Sequence, residues 1–239
     1  MVRRLILLFA IASIAACFIA WWRTPTYPIR NSIIFVGSPT VIVSWESSRS
    51  QYSILTIPSD LMVEALHGYG SYSLASLWKL DALEKRHGAL FLPTIVENFA
   101  IPTQWYSVYD QVVGVTNEEI VQFVTNKLSL FELAKSMILQ SSSLGPVDVV
   151  RIWMATRAID ASTTRVFDFR SRSIGSTVSM PDASIAVQFD PEMYDGILGD
   201  VLESAKLRQE SIRLAIYNTT SMLGIGSRVA RVLEQIGGY

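Results

Sequence analysis

Few side chains in this sequence stand where they could do chemistry. Arg165, Arg170 and Arg172 form a basic stretch with Asp168 among them. Guanidinium groups gathered in this way suit a phosphate, whose oxygens accept their forked donors in pairs. The plainer reading is a solvated strand end and loop, where arginines also collect. Ser59-Asp60, directly after Pro58, is the other candidate, and its composition equally predicts a helix N-cap. His67 and His87 lack metal-ligand spacing and read as surface histidines. Asn218-Thr219-Thr220 matches a glycosylation acceptor as well as a turn. No phosphate-binding glycine loop, nucleophile elbow or zinc motif is evident.

The elements that must position these residues alternate between strand and helix. Ser32–Val36, Thr40–Trp45 and Tyr52–Ile57 are β-rich runs bounded by Gly37-Ser38-Pro39, the polar 46–50 and Pro58, and the last two predict a hairpin. Ser73 predicts a cap for a helix reaching Arg86, with Leu74, Leu77, Leu80 and Leu83 on its apolar face and Gly88 as the stop. Pro93 opens a helix to Phe99, and 105–109 is a strand. Thr116…Glu119 and Ser129…Glu132 have capping-box spacing, opening helices over 117–127 and 130–140. Helix is expected again over 147–159 and 191–207, and strand over 165–169 and 185–189. Beyond a boundary near 208–210, Ile212–Tyr217 alternates as a strand and 224–236 as an amphipathic helix. The fold class is α/β, a layered body with a central mixed sheet and a small strand-turn-helix module at its end.

Composition bounds what this body binds. The chain has 239 residues, net charge -1 and 50% hydrophobic residues. That is enough chain for a real core, and the charge excludes a nucleic-acid partner, which needs a strong basic excess. The one cysteine, Cys17, excludes an internal disulfide. Residues 5–22 carry no charge and as a helix would cover ~27 Å, close to the hydrocarbon thickness of a bilayer. Arg3 and Arg4 precede this run, keeping the short N-terminus cytoplasmic, and Trp21 and Trp22 suit the far interface. A single-pass anchor over 1–22, with the bilayer as partner through 5–22 and the body outside the cytoplasm, is the expectation. A cleaved signal peptide and a lipid attached at Cys17 of Ile14-Ala15-Ala16-Cys17 are the alternatives.

Two stretches resemble known families. Asn218, Thr220, Gly224 and Gly237, within Ile216–Tyr239, resemble the opening of the LytR C-terminal domain, with Thr219 where glycine is usual; on that likeness 208–239 is the start of the domain, truncated. Asn31 to Asp60, ending in Ile57-Pro58-Ser59-Asp60, is similar to the start of the LytR-CpsA-Psr sheet, whose signature there is Ile-Pro-Arg-Asp. Val96 to Tyr106 resembles a later region of the same family. The resemblance implies a LytR-CpsA-Psr-like domain over 31–207 and, for an intact member, transfer of glycopolymers from polyprenyl pyrophosphate to the cell wall. Arginines there would clamp the pyrophosphate, and aspartates would hold a metal or activate the acceptor. This chain departs from the pattern. Gly37-Ser38-Pro39-Thr40 joins the first strands directly where the family has a long Asp- and Arg-bearing loop, and Ser59 replaces the arginine before Asp60.

The expectation is therefore a degenerate, non-catalytic bacterial envelope protein, a pseudoenzyme. It would scaffold or bind cell-wall glycan, lipid-linked polymer or another envelope protein, without a cofactor and with Asp60 as a vestige. The alternative is a divergent glycopolymer phosphotransferase using Asp60, magnesium and the relocated Arg165, Arg170 and Arg172.

Overall fold

A computed structural model describes residues 30–46, 51–110, 113–139, 141–160, 164–179, 185–199, 201–203, 214–219 and 224–235, with a few single positions besides. The expected anchor over 5–22 lies almost wholly outside these residues. Among the described residues no helix is long and apolar enough to cross a membrane.

The strands β1 (Asn31–Val36), β2 (Thr40–Glu46) and β3 (Gln51–Ile57) form as expected, with the hairpin Glu46↔Gln51 closing β2 on β3. They sit inside a five-stranded mixed sheet of order β6-β1-β2-β3-β7, where β6 is Trp105–Val108 and β7 is Thr164–Asp168. Every residue of β2 is buried. That follows from helices on both faces, which let a strand read as a continuous apolar run instead of alternating.

On one face, Ile34, Ile42 and Leu55 pack with Leu74 of α1 (Leu74–Leu83), Phe91 and Phe99 of α2 (Phe91–Phe99), and Tyr194 of α6 (Pro191–Leu198). On the other, Ile33, Val41 and Val43 pack with Ile120 and Val124 of α3 (Asn117–Lys127), Leu133 of α4 (Leu130–Ile138) and Ile152 of α5 (Pro146–Thr156). At α3 the capping box is complete: Glu119 N donates to Thr116 Oγ1 at 3.2 Å, and Thr116 N donates to Glu119 Oε2 at 2.9 Å. At α4, Ser129 Oγ accepts from Glu132 N at 3.3 Å.

The structure corrects the sequence reading in several places. Instead of one central sheet there are two. The second, of order β5-β4-β9-β8, is built from β4 (Met62–Ala65), β5 (Gly70–Ser73), β8 (Gly175–Ser179) and β9 (Ile185–Phe189). Helix α1 ends at Leu83, and Leu83 itself is 80% exposed, because the chain turns through Lys85 and His87 at positive φ before reaching Gly88. Ser59-Asp60 caps no helix: it forms the turn between β3 and β4. The expected strand over 212–217 is not found at its described residues, Leu214–Tyr217. The amphipathic helix that follows forms as α7 (Ile225–Gln235).

Candidate functional site

Strands β1, β3, β6 and β7 all run in the same direction, since β6 is parallel to β1, β7 is parallel to β3, and β2 is antiparallel to both of its neighbours. Their carboxyl ends therefore open on one edge, the place where open α/β sheets bind ligands. Four turns meet at this edge: 37–39, 58–61, the segment after β6, and 169–173. Thr56 is level with Asp168, and Phe169 N donates to Thr56 O at 2.9 Å. Asp60 and Arg170–Arg172 thus leave adjacent strands at the same edge.

Each of these residues has a distinct setting. Arg170 donates through Nε and Nη2 to Asp168 Oδ1 and Oδ2 at 2.8 and 2.7 Å, through Nη2 to Gly114 O at 2.7 Å and through Nη1 to Val113 O at 3.3 Å. Burial pushes the Asp168 carboxyl up, but the hydrogen bonds from Arg170 and the charges of Arg170 and Arg172 outweigh it and hold Asp168 below the usual carboxylate range. The Asp168 hydrogen bond in turn raises Arg170, against a smaller opposing effect of burial. Arg172 is exposed, and so is Asp60. The Ser38 and Ser59 hydroxyls, one turn apart in space, are hydrogen-bonded at 2.9 Å. The Tyr109 hydroxyl donates to Pro39 O. Burial drives that phenol well above its ordinary range, against a lowering by the Arg170 charge.

Arg165 is not part of this group. It lies level with Ser53 near the start of β7, about 10 Å along the strand from Asp168 at a strand's rise per residue. Its neighbour there is Arg30, 5% exposed, which donates to Ser44 Oγ at 2.7 Å and Ser53 Oγ at 3.2 Å. Burial lowers the Arg30 guanidinium to about 10; Glu46 opposes that shift and Arg165 adds to it. The three arginines of the sequence motif therefore divide between opposite ends of the sheet.

Magnesium binds carboxylate and phosphate oxygens. At the strand-end edge both Asp168 oxygens accept from Arg170, and the other carboxylates there, Asp60 and Asp110, are exposed. Among the described residues no group of three His, Cys, Asp or Glu side chains is placed to hold a metal ion.

A second concavity lies between α7 and the body. It has a volume of about 1330 Å³ and is walled by Leu66, Leu92 and Val96 on the body and by Val229, Val232 and Leu233 on α7. His67 and His87, exposed and at φ 60° and 52°, stand on its lining with Glu64 and Glu97. Helix α7 has no buried residue. What ties it to the body is polar: Arg231 donates to Asp195 Oδ2 and Oδ1 at 2.7 and 2.8 Å and to Asn98 O at 2.7 Å, and Arg228 pairs with Glu97. An amphipathic helix ordinarily buries its apolar stripe; here the stripe faces an open groove. Sequence periodicity revealed the stripe but not the groove, whose other wall comes from residues more than a hundred positions away.

No family model matches the chain, and no curated protein sequence matches it. Solved structures do. The transcriptional regulator yvhJ from Bacillus subtilis is similar with a TM-score of 0.51 at 10% identity, over 72% of this chain and 95% of that one. TagV of B. subtilis is similar with a TM-score of 0.52 at 10% identity, over the same 72% and 95%. The body shares its fold with these two proteins. A LytR-CPS2A-psr family protein, YwtF (TagT), determined with bound octaprenyl pyrophosphate lipid, matches with a TM-score of 0.47 at 10% identity, over 73% of this chain and 90% of that one.

Proposed function

We propose that this chain is a membrane-anchored protein of the cell envelope whose body, outside the membrane, binds a component of cell-wall or glycopolymer assembly without turning it over. The observation that carries this reading is the commitment of Arg170. A pyrophosphate clamp needs free, convergent guanidinium donors. Here the one arginine fixed at the strand-end edge spends its donors on Asp168 and two backbone carbonyls. Arg165 is at the far end, and Arg172 and Asp60 are exposed. The ligand this reading favours is a lipid-linked polymer, its apolar chain laid in the groove beneath α7, whose volume of about 1330 Å³ exceeds the several hundred Å³ usual for small-molecule pockets.

The test is calorimetric titration of the detergent-solubilised full chain with a short-chain polyprenyl pyrophosphate, with and without magnesium. Saturable binding is expected that is indifferent to magnesium and to Asp60→Ala, Arg165→Ala and Arg172→Ala, and that is lost in Leu92→Asp. Magnesium-dependent turnover abolished by Asp60→Ala would instead establish the alternative, a divergent glycopolymer phosphotransferase.

A further inference from the structure

Helix α4 carries its apolar residues on the wrong side. Leu133 is its buried contact with the core, yet Phe131 and Ile138, one above the other on the opposite face, are 75% and 72% exposed, and Leu139, just past the end, is 65% exposed. The face of a surface helix that looks away from the core is ordinarily polar. On the adjacent α5, Val150 is exposed as well. Single exposed apolar residues need no explanation, but a ridge of them does.

The charges beside the ridge are basic. Lys135, its side chain half exposed, lies on it, and Arg157 stands exposed at the end of α5. Of the acids nearby, Glu132 is shared between Lys127 and Lys135 at 3.5 and 3.7 Å, and Asp148 accepts from Gly145 N at 3.0 Å. An exposed apolar ridge carrying a lysine and flanked by an exposed arginine is the pattern of a helix resting in a membrane interface.

The topology gives this ridge a direction. Helix α3 starts at the strand-end edge, where Arg170 meets the carbonyls of Val113 and Gly114, and runs back toward the start of the strands. Helix α4 then returns, and beyond it Ser141 O accepts from Val108 N at 2.8 Å, at the end of β6. Helix α5 runs back again, so that Ala155 O accepts from the Tyr52 hydroxyl at 2.9 Å, near the start of β3. Leu130 and Phe131 are therefore at the edge where β1 enters the sheet, and Ile138 and Leu139 are at the strand-end edge. An anchor ending at Trp22 is within roughly 28 Å of Arg30, even with the intervening chain fully extended.

We infer that the outer ridge of α4, Phe131, Ile138 and Leu139 with Lys135, lies on an anionic bilayer surface and lays the body down with its strands along the membrane plane and the α3–α5 layer against the headgroups. This rests on the anchored reading above, and it adds an orientation which that reading does not contain.

The experiment places a fluorescent thiol probe at Ile138→Cys, and separately at Phe131→Cys, in the full chain carrying Cys17→Ser. The protein is reconstituted in phosphatidylglycerol–phosphatidylethanolamine vesicles that contain a lipid with a nitroxide near its headgroup. Lys79→Cys, exposed on α1 across the sheet, is the reference position. Several-fold stronger quenching at 138 and 131 than at 79 is expected. Equal, weak quenching at all three overturns the inference. So does a blue shift at 138 that needs no lipid and grows with protein concentration, the sign of a second copy or protein partner on the ridge. The same probe on native Cys17, with the nitroxide at the bilayer centre, reports the anchor separately. An unquenched Cys17 with quenched 138 would sink the anchor and leave the ridge standing.

Discussion

Asp168 and Arg170, two residues apart at the end of β7, face each other as a bidentate pair, with Nε and Nη2 of one on the two carboxylate oxygens of the other at 2.8 and 2.7 Å. The pair closes the strand-end edge and at the same time joins it to the segment before α3, because the same guanidinium reaches Val113 O and Gly114 O. Removing the carboxylate charge in Asp168→Asn should cost about 1–2 kcal/mol, the range for a hydrogen bond to a charged group that is partly shielded from water, read as a shift in urea midpoint at unchanged slope. It should also free donors of Arg170. If the committed guanidinium is what keeps this edge from holding pyrophosphate, Asp168→Asn binds inorganic pyrophosphate more tightly than the parent protein in a calorimetric titration. Equal affinity would remove that explanation.

The same pair sets an acid dependence. Asp168 is held below the range of a free carboxyl by Arg170 and Arg172, despite its burial. Its contribution to stability is therefore complete above the unfolded value of ~3.9 and is lost as pH falls through the lower folded value. Urea midpoints measured from neutral pH down to about pH 3 should fall less steeply below pH ~4 in Asp168→Asn than in the parent.

Asp81, in the last turn of α1 and fully buried, accepts from Gly88 N at 2.6 Å, Leu90 N at 2.7 Å and Phe91 N at 3.1 Å. One carboxylate thereby folds the 84–90 turn back and satisfies donors at the start of α2, an end that also favours negative charge. Asp81→Ala leaves three buried N–H groups without that acceptor and should cost about 3–5 kcal/mol. Asp81→Asn keeps one oxygen acceptor and should cost roughly half as much. Urea unfolding of the two variants checks the order.

These relationships separate what the sequence disclosed from what it hid. Both capping spacings marked true helix starts, since a cap is a contact between residues three apart. The three central strands were legible because burial on both faces leaves uninterrupted apolar runs. Strands β4 and β5 were not: they are short, and His67, Gly68 and Gly70 between them read as loop. Strand β8, Gly-Ser-Thr-Val-Ser, carries no apolar alternation because four of its five residues are exposed. At the site, the arginines were visible by type, but the burden on Arg170 was not, because two of its partners are backbone carbonyls 56 and 57 positions away. Asp81 gave no local sign at all; its partners are main-chain N–H groups of a later turn.

Arg30 tests how a buried charge is carried. It sits on Ser44 and Ser53, with Glu46, 2% exposed, as the opposing charge. Arg30→Met removes the cation, its hydrogen bonds to Ser44 and Ser53 and its attraction to Glu46, which should cost about 1–3 kcal/mol. Replacing both, in Arg30→Met with Glu46→Gln, should recover a substantial part of that loss. A double-mutant cycle on chemical denaturation gives the coupling, and a double variant no more stable than Arg30→Met alone would place the cost in lost packing and not in charge.

Arg231 is the residue on which the groove depends. Its fork lies on both oxygens of Asp195, and it also reaches the Asn98 carbonyl, whereas α7 contributes no buried side chain to the body. Losing the fork in Arg231→Ala should leave the global urea midpoint within about 1 kcal/mol of the parent, since a partly exposed ion pair contributes little to overall stability. The helix itself is another matter: with its tether gone, the amides of 225–235 should exchange with solvent much faster, as a local opening decoupled from the core. A lipid chain held between α7 and Leu92–Val96 would lose one wall, so affinity for a short-chain polyprenyl pyrophosphate should fall by about tenfold or more, equivalent to ~1.4 kcal/mol. Raising the salt concentration should reproduce part of this loss in the parent protein and less of it in Arg231→Ala, where Arg228–Glu97 is the ion pair left to screen. A variant with loosened α7 and unchanged affinity would show that the lipid-linked ligand sits elsewhere.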